Sequence, residues 1–410
     1  MNNQICLPYE LLRLHESPIE SFFFVWIFPW LFLLGVLGNS LNLLVLLGPK
    51  WSLRRADSLL QSLAICDIIF LFLLLPSSLA QFDHFGQQKH FRVFYLSLRV
   101  HLIGFANWCS AVAIWLIIAI STDRLIGIRS FRRHSRHGNT GRLVFFIIFI
   151  SGLLTSYNHF SYHCVLKWLC NGGQVVGKCF DILQESWPGN HTNKTPHPLR
   201  AYVRLSLAAN ALLVVLLPVL LMFLLNAGLL FIVRRRSFSI TNDKCSNYFN
   251  NRRQINNNKF VNQQTSEQHI TVSIAAIVTA FTLTQGPSAL VLLARLSLVG
   301  TSLNNNYWEG WQLLGSLTGF LVILGKSLNC ILLCLSSASF RKRLSKTIND
   351  KIFKNKKRNK EKRKSSAAYS LTSKSIIIAT NQQKLGEEEG NFIEKKLNNK
   401  LIKNRSYSLP

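Results

Sequence analysis

Over most of this chain apolar residues neither alternate nor fall at helical intervals; they run on with few interruptions. Such segments occur at about 21–48, 58–80, 95–128, 142–164, 203–233, 269–298 and 309–336. The run from Phe22 to Leu47 alone exceeds the ~20 residues a helix needs to cross a bilayer. Hydrocarbon offers no partner to a backbone N–H or C=O, so these runs are expected as helices that close their own hydrogen bonds. The pattern predicts an all-α membrane protein: an extracellular N-terminus over residues 1–20, a seven-helix bundle over 21–336, a short amphipathic eighth helix over 337–348 and a disordered basic cytoplasmic tail over 349–410. The first 21 residues hold Glu10, Glu16, Glu20, Pro8 and Pro18 and lack the basic start and small-residue cleavage site of a signal peptide. The first apolar run is therefore expected to stay in the membrane as an anchor.

Composition agrees with lipid as the main solvent. Of the 410 residues 49% are hydrophobic and 16% are charged, against roughly 25% charged in a soluble domain. The formal net charge of +29 suggests nucleic acid until its position is considered. Of the 47 Lys and Arg, 35 lie in the connections after spans 1, 3 and 5 and in the tail, and 7 lie on the other side. Basic residues gather on the cytoplasmic side of membrane spans. The chain is thus expected in the plasma membrane as a multi-pass protein with the N-terminus outside and the tail inside. Its excess charge faces anionic membrane lipids, and nucleic acid is excluded as a partner.

The segment Lys167 to Arg200 carries two glycosylation sequons, at Asn190 and Asn193, on the side expected outside. The segment Arg234 to Gln268 is rich in Asn, Gln and Arg and reads as flexible, and the tail places Ser365, Ser366, Ser370, Thr372, Ser373 and Ser375 behind a basic stretch. Disulfides are expected only among cysteines on the oxidising side. Cys170 and Cys179 flank a Gly-rich stretch that closes a local loop if they pair; Cys6 is the competing partner, and Cys164 lies near the outer membrane boundary.

A charged or strongly polar side chain in hydrocarbon costs several kcal/mol unless partnered, so each one marks a candidate site. The set here is Asn39, Asp67, Asp123, Arg124, Lys326 and Asn329. Their contexts are Gly38-Asn39, Leu63-Ala64-Ile65-Cys66-Asp67, Thr122-Asp123-Arg124-Leu125, Pro218 in span 5, and Phe281-Thr282-Leu283-Thr284-Gln285-Gly286-Pro287 in span 6. In this order, one per span, they resemble a rhodopsin-like G-protein-coupled receptor over about residues 21–348. Thr284-Gln285-Gly286-Pro287-Ser288 and the sequence around Leu328-Asn329-Cys330 are similar to those of invertebrate, including nematode, FMRFamide-like and myosuppressin-type peptide receptors.

The resemblance implies roles. Asp123 and Arg124 would form the cytoplasmic switch of span 3, the Arg pairing with its neighbouring acid at rest and turning to the G protein when active. Ile114, Pro218 and Phe281 fall at the positions of the family's transmission cluster. Pro218 and Pro287 each remove a backbone hydrogen bond, giving span 6 a hinge for its inner half. Gln285 stands where the family usually has Trp, and Asn329 is followed by Cys330 rather than Pro. In most relatives the acid at Asp67 helps hold a sodium ion; here Lys326, one turn outward of Asn329, is expected to face Asp67 as a permanent counter-charge. Phe340, Leu344 and Ile348 recur every four residues among Arg341, Lys342, Arg343 and Lys346, the pattern of a basic helix lying on the inner leaflet.

Amine receptors of this family carry an Asp where this chain has Ala106, and the retinal-attachment Lys of opsins would fall at Ile323; neither ligand class is expected on that ground, and a peptide fits better. Asp181, Glu185 and Glu309, with Trp308 and Gln285, are candidate contacts for a cationic, aromatic peptide. The resemblance implies heterotrimeric G proteins of the Gi/Go class as partners, and arrestin once the tail is phosphorylated. A nematode-type chemoreceptor for a small molecule is the alternative, and a transporter a distant one, since the chain has neither an internal repeat nor paired broken helices. No metal-spaced cluster or nucleophile motif points to an enzyme, a cofactor or a metal.

Overall fold

The computed structural model describes residues 6–14, 17–47, 55–129, 140–187, 191–228, 278–294, 305–336, 340–349 and 389–397, with single positions at 231 and 276. Seven apolar helices account for most of them: α1 (Pro18–Leu46), α2 (Arg55–Leu79), α3 (Lys89–Arg129), α4 (Thr140–Thr155), α5 (His197–Gly228), α6 (Val278–Ala294) and α7 (Asn305–Ser336). A further helix, α8, covers residues 340–349. Six are long and apolar enough to cross a membrane, and α6 is shorter within its described limits. Many of their largest apolar side chains point outward, among them Trp26, Trp30, Leu37, Phe145, Phe146, Phe223 and Leu224. A surface of this kind is stable against lipid chains and a liability in water.

Local chemistry sets the helix details. α1 starts at Ser17, whose hydroxyl accepts the Glu20 N–H at 3.1 Å, with Pro18 as its first residue. Four prolines lie within the described helices beyond their first turn, Pro29, Pro76, Pro218 and Pro287, and two of them follow a widened π-type turn: Phe23–Ile27 before Pro29 and Ala211–Leu216 before Pro218. A proline ring strikes the carbonyl four residues back, here Val25 and Val214, and both sit in the widened turn that relieves the clash.

The middle of the bundle is a cluster of Leu59, Leu63, Val112, Leu116, Ile117, Met222 and Phe281, drawn from α2, α3, α5 and α6. A second cluster joins Phe28 and Leu31 of α1, Phe70 and Leu71 of α2, Ala106 of α3 and Val322 and Ile323 of α7. Gly35 and Gly38 let α1 approach α7 closely: a Cβ at Gly38 would lie 2.8 Å from Cys330 Cβ, and one at Gly35 would lie 3.2 Å from Ser327 Cα.

Span 4 is shorter than the expected 142–164. α4 ends at Thr155, a tight turn covers Ser156–His159, and Tyr162–Leu169 is a strand, β1, paired antiparallel with β2 (Gln174–Asp181). His163 and Lys167 break the apolar run, and a hairpin partner satisfies the strand backbone that a bilayer would leave bare. Two short strands, β3 (Ser186–Trp187) and β4 (His191–Thr192), pair beyond it.

The hairpin also corrects the expected disulfide. Its register places Cys164 opposite Cys179, with Cα atoms 4.0 Å apart, and these two are bonded. Cys170 instead sits in the turn, at φ 53°, followed by Asn171 and Gly172, also at positive φ. It lies six residues beyond Cys164, the residue level with Cys179, about 20 Å along the strand direction, so the two cannot pair. Cys170 bonds Cys6, with Cα atoms 4.7 Å apart, and so ties the N-terminal segment to the hairpin tip.

Residues 345–410 form a separate unit. Within it the expectation of disorder meets a helix at residues 389–397, where Lys396 lies 5.9 Å from the Phe392 ring one turn back. The Ser/Thr cluster behind Lys364, the segment Arg234 to Gln268 and Asn190 lie outside the described residues.

Candidate functional site

In the centre of the bundle α1, α2 and α7 bring four polar residues together. Asp67, Lys326, Asn39 and Asn329 are all buried, the first two completely. Lys326 Nζ donates to Asp67 Oδ1 at 3.0 Å, and Asn329 Nδ2 donates a short hydrogen bond to Asp67 Oδ2. Asn39 Nδ2 donates to the Lys326 backbone carbonyl at 3.3 Å. The ammonium also lies 4.7 Å from the Phe70 ring centroid. The three-residue spacing of Lys326 and Asn329 stacks them on one face of α7, and each takes one carboxylate oxygen. Asn39 Oδ1 and Asn42 Oδ1 are buried without a partner among the described residues.

Above this core, toward the hairpin, a cavity of about 640 Å³ opens between α3, α5, α6 and α7. Its charged lining residues among those described are two acids, Glu20 and Asp181, and no Lys, Arg or His lines it. Burial raises the Asp181 carboxyl above its ordinary pKa, opposed by the Leu183 N–H that it accepts at 2.8 Å. Tyr157, Tyr162, Phe23 and Phe320 add aromatic surface, and Phe23 stacks on Phe320 at 4.4 Å. Deeper in, Gln285 lines the cavity while buried, and its Nε2 has no hydrogen-bond partner among the described residues. Ile114 and Pro218 lie at the bottom, and Ile114 packs against the cluster that contains Phe281.

The remaining expected residues are placed as follows. Pro287 lies in α6 among the described helical residues. Glu185 is exposed and does not line the cavity. The side chains of Trp308, Glu309 and Arg124 lie outside those described, although their backbones are helical. Asp123 meets Arg55 of α2 at 3.6 Å. At the same end of the bundle Asp57 of α2 meets Arg343 of α8 at 3.3 Å, both side chains mostly buried, and Phe340 packs against Val45.

Asn193 Nδ2 donates to two backbone carbonyls, Ile182 at 2.8 Å and Gln184 at 2.7 Å, and its Oδ1 accepts the Thr195 N–H. A glycan on Nδ2 leaves one N–H, too few for both bonds. Asn190→Gln is therefore expected to remove most of the glycosidase-sensitive gel shift, and Asn193→Gln little of it.

One residue of evident consequence carries no sequence signal beyond its charge. Arg92, near the start of α3, is buried; its Nε donates to Val175 O at 2.9 Å, and NH1 donates to Leu12 O and Gly86 O, each at 2.7 Å. It thereby holds β2, the N-terminal segment and the turn between α2 and α3 at one point. Gln174 adds reciprocal bonds to the Leu7 backbone at 2.9 and 3.0 Å.

An all-helical multi-pass bundle, with a cavity at one end, a buried polar core beneath it and ion pairs at the other end, defines a seven-helix membrane receptor. The family model for the 7 transmembrane receptor (rhodopsin family) matches residues 38–331, and the chain belongs to that family. It is 35% identical over 378 residues to a Caenorhabditis elegans protein, F59B2.13, whose name describes it as a candidate G-protein coupled receptor. That match covers 91% of this chain and 82% of the relative. The family is one of receptors coupled to G proteins, not of enzymes.

Proposed function

We propose that this protein is a plasma-membrane receptor for a short amidated neuropeptide of the FMRFamide-like or myosuppressin-like kind, signalling to heterotrimeric G proteins of the Gi/Go class. The observation that carries the reading is the charge of the cavity: two acids and no cation among its described lining residues, with aromatic walls. A ligand with a free carboxylate would bury that charge without a counter-ion, at a cost of several kcal/mol. A cationic ligand with a neutral terminus meets the acids and leaves nothing unpaired. The free Gln285 N–H suits a carbonyl such as that of a terminal amide.

The hairpin end faces outward in this reading. It carries both disulfides, which persist in an oxidising compartment, whereas the Lys- and Arg-rich segments belong to the other end. Asp123 and Arg124 couple to the G protein, and the polar core holds α2 and α7 in register. A ligand pressing on Ile114 and Pro218 reaches Phe281 and α6, whose Pro287 provides the hinge for its movement. The basic α8 lies along the inner leaflet, and the phosphorylated tail recruits arrestin.

The test is G-protein activation in transfected cells given a library of amidated invertebrate neuropeptides, each beside its free-acid form. A response to one peptide family, at least tenfold weaker for the acid and lost in Arg124→Ala, is expected. Equal potency of acid and amide removes the cavity-charge argument. Silence across the library from protein present at the surface moves the reading to a small-molecule chemoreceptor. Because the Asp181 pKa is raised, potency is expected to fall on acidification at a higher pH than an ordinary carboxylate would give, and that difference disappears in Asp181→Asn.

A further inference from the structure

Two histidines face each other across the seam between α3 and the end of α4. His101 Nδ1 and His159 Nδ1 are 3.1 Å apart, with ring centroids at 5.3 Å. His159 is held in place: it lies over Gly104, where a Cβ would be 2.8 Å from its Cε1, and its ring is 4.8 Å from that of Phe105. His101 is on the exposed side of α3 and has room to turn. We infer that this pair is a binding site for a divalent ion of zinc type, beside the turn whose Tyr157 and Asn158 line the ligand cavity.

The spacing carries the inference. Two Zn–N bonds of ~2.0–2.1 Å at a tetrahedral angle hold their nitrogens about 3.3–3.4 Å apart. The two Nδ1 atoms are within a few tenths of an ångström of that separation already. The neutral pair shares one Nδ1 proton; moving it to Nε2 of the same ring frees both Nδ1 lone pairs for the metal without changing net charge. Among the described residues no third His, Cys, Asp or Glu joins them, so water or solvent anions fill the remaining positions, and the protein supplies one ligand fewer than the three of a catalytic zinc site. Depth also fits. His101 lies 23 residues before Arg124, or about 35 Å along the helix, which puts it at the headgroup level opposite the Arg124 end of the bundle.

The position gives the ion a consequence. His159 closes the turn Ser156–His159, whose Tyr157 and Asn158 line the cavity, and Asn158 Oδ1 accepts from Asn107 of α3 at 3.3 Å. Metal bridging α3 to this turn fixes the root of the hairpin. Ligand and ion then alter each other's affinity by the same factor.

The experiment is thermal unfolding of the purified full-length protein in lipid nanodiscs, without ligand, over a Zn²⁺ titration with Mg²⁺ as control. Zn²⁺ is expected to raise Tm in a saturable way. His101→Ala, His159→Ala and Gly104→Ala each weaken the apparent affinity at least ~10–100-fold, the loss expected even for outer-shell partners of a metal, whereas His90→Ala does not. Co²⁺ is expected to give the visible absorption of a tetrahedral nitrogen site in the unaltered protein and not in His101→Asn, a variant at an exposed position. An unchanged Zn²⁺ response in His101→Ala, or an equal response to Mg²⁺, overturns the proposal whatever the peptide ligand proves to be.

Discussion

Replacing Lys326 by Ala is expected to remove most of the protein from the cell surface. The substitution leaves the Asp67 carboxylate fully buried with Asn329 as its remaining donor among the bonds described. Removing one partner of a buried ion pair costs about 3–5 kcal/mol, a large part of the stability of a typical domain. Asp67→Asn is expected to fail to a similar degree by stranding the ammonium, which retains the Phe70 face. The double variant Asp67→Asn with Lys326→Met removes both charges at similar volume and is expected to recover surface expression. Flow cytometry and the melting temperature of Asp67→Asn, Lys326→Met and the double variant, beside the unaltered protein, form a double-mutant cycle, and additive losses would show that the pair does not act as a unit. The ammonium occupies the place of a cation beside Asp67, so agonist affinity is also expected to be the same in sodium and in a bulky organic cation.

The second large effect is expected at Arg92. Arg92→Ala strands three carbonyls, those of Leu12, Gly86 and Val175. Hydrogen bonds to a charged donor contribute about 1.5–3 kcal/mol each. The loss falls on the cap rather than on the bundle, because Cys6–Cys170 and Cys164–Cys179 still hold the hairpin and the N-terminal segment together. The expected result is a protein that reaches the surface but is cleaved faster by protease in the N-terminal segment, with ligand dissociating about tenfold faster or more. Arg92→Lys rescues little, since an ammonium is a point donor and cannot span three carbonyls as a planar guanidinium does. Unchanged proteolysis and dissociation would show that the disulfides alone position the cap.

These two residues also mark the limit of what a linear chain reveals. Lys326 was legible because hydrocarbon makes any buried charge conspicuous, and the turn between it and Asn329 is local geometry. Its direction toward Asp67 followed from helical spacing. The seven apolar runs were legible for the same reason, since a backbone in lipid has few structures available to it. The sequence motifs around Asn39, Asp67, Asp123 and Pro287 carried the family.

Outside the hydrocarbon these constraints lapse. There a polar backbone can pair with water, so composition does not separate a loop from a strand, and the hairpin of β1 and β2 went unread. Without its register the cysteine partners were undetermined: sequence proximity favours Cys170 with Cys179, whereas strand pairing places Cys164 opposite Cys179 and leaves Cys170 at the tip for Cys6. Arg92 was one basic residue among many because its three acceptors come from segments 6, 80 and 83 residues away. His101 and His159 are 58 residues apart, and only the packing of α3 on the end of α4 brings their nitrogens together. The sequence by itself determined the medium, the number of helices, the family and the charges that must find partners inside. Tertiary structure alone decided the cap, the disulfides, the shape and charge of the cavity and the histidine pair, because each depends on atoms that long-range packing, not local propensity, places side by side.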